Sequence, residues 1–153
     1  MKTLDQWFEE YSVSHKNVTN KKIHYLCVPL IFFSVVGLFM SIPNQILEPL
    51  ASIHPIFANW AFVVLVFVLF FYFRLSLAMG LKMLLFTALC LVGNYIISQT
   101  FPLLWFSIAV FTVGWIGQFY GHKIEGKKPS FIKDLQFLLI GPAWVIDSVF
   151  KMN

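Results

Sequence analysis

Residues 57–73 read FANWAFVVLVFVLFFYF, a run without a single Asp, Glu, Lys or Arg. A stretch of that length and character lies at the short end of what crosses a bilayer as a helix. It has three companions: residues 23–40 read IHYLCVPLIFFSVVGLFM, residues 81–97 LKMLLFTALCLVGNYII, and residues 103–119 LLWFSIAVFTVGWIGQF. Pro43, Pro49, Pro55 and Pro102 punctuate the connections, as helix-breaking residues do. Across the 153 residues, 59% are hydrophobic and 12% are charged, about half the charged share of a soluble domain. So small a domain has too little interior to hide that much apolar surface. The bilayer must act as its solvent. These patterns predict an all-α integral membrane protein, a four-transmembrane-helix bundle forming one domain over residues 1–153.

The flanks add one helical segment each. Residues 3–16 read as an N-terminal amphipathic helix: Thr3 and Gln6 suit a capping box, and Leu4, Trp7, Phe8, Tyr11 and His15 fall on one stripe. Val18 to Asn20 would break it, with Asn20 capping the next helix. At the other end, Pro129 and Ser130 look like a helix start and Gly141-Pro142 like a break before residues 143–150. A fifth crossing would place Asp147 in lipid, which is costly. Residues 131–150 are therefore expected as an interfacial or re-entrant helical segment.

Orientation follows from the basic residues. Lys2, Lys16, Lys21 and Lys22 precede the first span, Arg74 and Lys82 sit between the second and third, and Lys123, Lys127, Lys128, Lys133 and Lys151 follow the fourth. These are all 11 basic residues of the chain, and the loops 41–56 and 98–102 hold none. The positive-inside rule then predicts both termini on the cytoplasmic side. The net charge of +4 is explained by lysines at the membrane edge, and no nucleic-acid module is evident. Cys27 and Cys90 lie inside apolar runs and read as small buried hydrophobes. Asp5, Glu9 and Glu10 interrupt the N-terminus, which has no signal-peptide core.

Three of the four histidines fall on the cytoplasmic side. His15 ends the amphipathic helix, His24 opens the first span and His122 closes the fourth, whereas His54 sits in an outside loop. Gln118, His122 and Glu125 share a helix face at i, i+4 and i+7. Gly117 and Gly121 beside them would let another helix approach closely, which suggests a pocket between helices. His15 and His24 would point apart on one unbroken helix, so a break between them is needed before they converge. Three imidazoles, with or without a carboxylate, would suit zinc, non-haem iron or related metals. Interfacial histidines bonded to lipid headgroups are the plainer alternative. Asn59 and Asn94 read as interhelical hydrogen-bonding groups.

The pattern Tyr11, His15, Asn20, His24, Pro29, then Gly114-Trp115, Gln118-Phe119, Gly121-His122, Glu125, Pro129 and Gly141-Pro142 resembles one family. It is similar to the membrane-bound 2-hydroxy fatty acid dioxygenases of fatty-acid α-oxidation, which take phytosphingosine products to odd-numbered fatty acids. The resemblance covers nearly the whole chain, with the middle spans matching in hydrophobicity only. The long polar C-terminal tail of some eukaryotic members is missing. The resemblance implies an Fe(II)-dependent enzyme that uses dioxygen to remove C1 of a long-chain 2-hydroxy fatty acid. It also implies His15, His24 and His122 as metal ligands, and Glu125 as either a fourth ligand or a residue that orients one. Tyr11, Asn20 and Gln118 become candidates for supporting the ligands or touching substrate, and Lys21 or Lys22 for attracting its carboxylate. Two other classes stand beside this reading: a non-catalytic lipid-binding or membrane-organising protein, and a small transporter, although paired broken spans are absent. Short loops favour a bacterial inner membrane over the endoplasmic reticulum.

Overall fold

The computed structural model describes residues 2–126 and 137–151. All regular structure among them is helical: α1 (Leu4–Ser12), α2 (Val18–Met40), α3 (Trp60–Leu75), α4 (Leu77–Ser98), α5 (Leu103–Glu125) and α6 (Ile140–Lys151), with 3-10 turns at Gln45–Ser52 and Pro55–Phe57. Among the described residues, α2, α4 and α5 are long and apolar enough to cross a membrane, whereas α3 is apolar but shorter. At 1.5 Å per residue its 16 residues reach about 24 Å, against a hydrocarbon core of about 30 Å. The chain divides into two compact units, residues 1–32 with 112–153, and residues 33–111.

In the middle unit, α3 and α4 form a helical hairpin turned on one residue. Ser76 has extended backbone, donates its N–H to the Tyr72 carbonyl to close α3, and accepts from the Met79 N–H to open α4. Tyr72, Met79 and Met83 fill the interior. Asn59 is the N-cap of α3, its Oδ1 accepting from the Phe62 N–H at 2.9 Å. That local bond replaces the interhelical role expected of it. Asn94 does bridge helices, donating to the Phe33 carbonyl at 3.0 Å and to the Cys90 carbonyl at 2.9 Å. Apolar side chains such as Phe67 and Phe70 point outward, the arrangement lipid solvation favours.

In the other unit, glycines on one face of α5 set how close α2 comes. A Cβ on Gly114 would lie 2.6 Å from Ile31 Cγ1, one on Gly117 would lie 2.5 Å from Cys27 Sγ, and one on Gly121 would meet Asn20 Oδ1. Rising along α5 thus means descending α2, so the two segments pack antiparallel at backbone distance. The glycine face is filled by α2 itself and provides no room for a ligand beside Gly117 and Gly121.

The N-terminal boundaries differ from the sequence reading. Thr3 and Gln6 do form the capping box, but α1 ends at Ser12, so His15 lies in the connection that follows. Asn17, rather than Asn20, caps α2: its Oδ1 accepts from the N–H groups of Thr19 at 2.8 Å and Asn20 at 3.3 Å. Two consecutive amide donors within reach of one side-chain oxygen define the helix start, and they free the Asn20 side chain for another task. At the C-terminus, the start read at Pro129 and Ser130 and the mixed stretch through residue 136 lie outside the described residues. Gly141 and Pro142 sit inside the first turn of α6, where proline sacrifices no helical hydrogen bond. Asp147 is largely buried and pairs with Lys151 at 2.8 Å.

Candidate metal centre

His15, His24 and His122 come together. One ring nitrogen from each can be chosen such that all three lie within 4.8 Å of one another. Ring centroids are 4.3 Å apart for His15 and His24, 5.0 Å for His24 and His122, and 5.5 Å for His15 and His122. Their exposures are 4%, 1% and 5%, so the trio is withdrawn from solvent. His54 is exposed in the other unit and accepts from the Ile56 N–H at 3.2 Å.

Local structure fixes each ring. After α1 ends, the chain turns through His15 N–H to Ser12 O at 3.0 Å. The His15 ring stacks on Tyr11, with centroids 4.1 Å apart and planes 13° from parallel. Its Nδ1 lies 2.7 Å from the Tyr11 carbonyl. His24 repeats the device one helix later, with Nδ1 3.0 Å from the Asn20 carbonyl. A backbone carbonyl only accepts, so both Nδ1 atoms carry the proton and both Nε2 atoms present a lone pair. Backbone carbonyls on the far nitrogen are the usual support of a metal-bound imidazole. His122 stands on the last turns of α5, and one turn before it Gln118 hydrogen-bonds His24. Three imidazoles presented in this way are a fitting donor set for a divalent transition metal.

Glu125 does not join the three. Its Oε1 accepts from the Lys16 N–H at 2.9 Å, and its Oε2 accepts from the Asn17 N–H at 2.9 Å and from Asn20 Nδ2 at 3.0 Å. Asn20 also donates to the Ser14 carbonyl at 3.4 Å. The carboxylate therefore clasps the connection carrying His15 to the helix carrying His122. Asn20, fully buried, links that clasp to the carbonyl holding His24.

A small, partly open cavity of about 40 Å³ adjoins the histidines. Tyr11, Gln118 and the three histidines line its polar end; Val28, Ile31 and Trp115 line the apolar end, and Phe137, Leu138, Gly141 and Pro142 contribute a side wall. Lys21 is half-buried and Lys22 exposed, and neither lines this space. The sequence reading missed Trp144, whose ring lies 5.3 Å from Tyr11, 5.9 Å from His15 and 5.6 Å from Tyr25. Its only signal was its place just after Gly141-Pro142, because the docking of α6 on α1 is a tertiary event.

The chain matches, over residues 1–152, the model of a family described as 2-hydroxy-palmitic acid dioxygenase Mpo1-like. A relative from Saccharomyces cerevisiae, the 2-hydroxy-palmitic acid dioxygenase MPO1, is 31% identical over 156 residues, covering 94% of this chain and 78% of its own. No solved structure matches.

Proposed function

The chain belongs to the Mpo1-like family, and on that footing we propose that it is an Fe(II)-dependent dioxygenase of long-chain 2-hydroxy fatty acids. One observation carries the reading: three buried imidazoles from three separate segments meet beside a cavity that is polar at their end and apolar beyond. His15, His24 and His122 would hold the iron, which would supply redox activation of dioxygen. The reaction, RCH(OH)COOH + O2 → RCOOH + CO2 + H2O, balances without a further reductant. It removes C1 and leaves an acid one carbon shorter.

The residues of this chain divide the remaining work. Tyr11 stacks on His15 and, through its carbonyl, keeps the proton on Nδ1. Asn20 does the same for His24. Gln118, bonded to His24 and lining the cavity, is placed to donate to the hydroxyl or carboxylate of the substrate head. Glu125 positions the His15 connection. Trp144 and Tyr11 screen the site from water by burying the ring of His15 among aromatics, and Val28, Ile31 and Trp115 receive the alkyl chain.

The same reading places α2 to α5 across a membrane as four spans of one domain, with both termini cytoplasmic and the site at the cytoplasmic edge. There a fatty acid's head meets water while its tail stays in apolar surroundings. A bacterial inner membrane suits the short loops. The test is turnover: anaerobically purified, iron-loaded protein given a 2-hydroxy fatty acid and oxygen should release the acid shortened by one carbon, with one O2 consumed per turnover. Binding of the acid with no oxygen uptake at any iron load would leave a lipid-binding protein instead.

A further inference from the structure

One glycine lines the cavity, Gly141, and its backbone does not call for one. Among the described glycines only Gly126 has a positive φ, the conformation that favours glycine. Gly141 stands in the first turn of α6, its N–H bonded to the Phe137 carbonyl at 2.7 Å, where alanine would suit a helix better. What glycine provides here is space. A Cβ on Gly114 would meet a neighbour at 2.6 Å and one on Gly117 at 2.5 Å, so those places are already filled. A Cβ on Gly141 would lie 3.0 Å from the Tyr11 hydroxyl oxygen and 3.4 Å from Val28 Cγ1, a gap that a methyl group would occupy. The Tyr11 ring is held in place, stacked on His15 at 4.1 Å and flanked by Trp144 at 5.3 Å and Phe137 at 5.4 Å. The gap beside Gly141 therefore runs between a hydroxyl and a methyl, at the junction of the polar and apolar ends of the cavity.

We propose that Gly141 is a specificity-determining residue, whose missing side chain holds open the gap through which the substrate passes from its polar head to its alkyl chain. This rests on the fatty-acid reading of the site. A cavity of about 40 Å³ has room for the head and the first carbons, on the order of three water-sized groups. The rest of a long tail continues past the open side. The head ends at C2, so C3 is the carbon that lies in the gap. A side chain at position 141 excludes 2-hydroxy acids of every length alike, and its nearest neighbours are Tyr11 and Val28 rather than a histidine.

Full-length protein in detergent micelles is compared with Gly141→Ala, Val28→Ala and the double variant. Binding of a short and a long straight-chain 2-hydroxy acid is read by displacement of a fluorescent polyene fatty acid, beside iron content and melting temperature. Overpacking a site of this kind weakens binding by roughly 5- to 150-fold. Gly141→Ala should lower the affinity for both acids by a common factor in that range, with iron content and melting temperature kept. The double variant should regain most of the loss, because Val28→Ala clears the other side of the gap. Val28→Ala alone keeps Gly141 and reports even where Gly141→Ala does not fold. It should lessen the disadvantage of a 2-hydroxy acid that carries a methyl group on C3. Unmoved affinity in Gly141→Ala, or a loss that depends on chain length, overturns the gap while leaving the dioxygenase reading intact. So does iron lost together with the acid, which would make Gly141 a packing partner of Tyr11 alone. Equal discrimination against the branched acid by wild type and Val28→Ala overturns the gap as well. Affinities that move as stated, in a protein that never shortens its ligand, uphold the gap and overturn the dioxygenase. Absence of any binding by the acids overturns both.

Discussion

Glu125→Gln isolates what the carboxylate at the end of α5 contributes. The two oxygens accept three N–H groups, from Lys16, Asn17 and the Asn20 side chain. A glutamine keeps one acceptor oxygen and turns an NH2 toward at least one of these donors, so one or two bonds to a charged acceptor are lost. Such bonds are worth about 1.5–3 kcal/mol each when shielded. Glu125 is only half-buried, so screening reduces the loss to ~1–3 kcal/mol in total. If all of it is spent loosening the His15 connection, metal binding weakens by roughly 5- to 150-fold. That overlaps the 10- to 100-fold typical of losing a residue that supports a ligand. The assay is an anaerobic titration with Fe(II) against a chromophoric chelator, followed by kcat at saturating metal. A positioning role predicts weaker binding with kcat restored once the site is filled. Unchanged affinity would refute the clasp. Iron that cannot be restored at any concentration would make Glu125 a ligand and refute the geometry described for it.

The packing of α2 on α5 should show as a coupling between Gly117 and Cys27. Gly117→Ala places a Cβ 2.5 Å from Cys27 Sγ and should cost ~1–3 kcal/mol of stability, as overpacking does. Adding Cys27→Ala should recover most of that loss in thermal melts, whereas additive losses would deny the contact. Asn17→Ala removes the cap of α2 and should lower stability by ~0.5–2 kcal/mol, whereas an unchanged melting temperature would return the helix start to Asn20. For topology, single cysteines at positions 2 and 151 should be labelled from one side of a sealed membrane and a cysteine at position 54 from the other. Opposite accessibility of the two termini would defeat four crossings.

The sequence carried the composition of the helices well and their ends less well. Residues 57–73 announce an apolar helix by content alone, but Asn59 starts α3 three residues into that run, because a side-chain oxygen able to cap outweighs the hydrophobicity of its neighbours. The same local chemistry moved the start of α2 to Asn17. His15, His24 and His122 were legible as a group, since each lay next to the same expected membrane edge. Their convergence required a break between the first two, and the end of α1 at Ser12 supplies it. The role of Glu125 was not legible. Its spacing on α5 fits a place beside His122 equally well, and only the approach of residues 16–20 shows which donors its oxygens meet. Gly117 and Gly121 were recognised as a close-packing face, but what fills that face is Cys27 and Asn20, a matter of register between helices far apart in sequence. Trp144 and the wall formed by Phe137, Leu138, Gly141 and Pro142 depend on α6 docking against α1, for which no periodicity gives notice.

The central claim is that three histidines hold one metal ion, and metal content tests it most directly. Wild-type protein purified without oxygen and His54→Ala should each carry close to one iron per chain by elemental analysis. His15→Ala, His24→Ala and His122→Ala should each carry far less while remaining folded by circular dichroism. Wild-type iron content in those three variants, whatever their activity, would contradict the account.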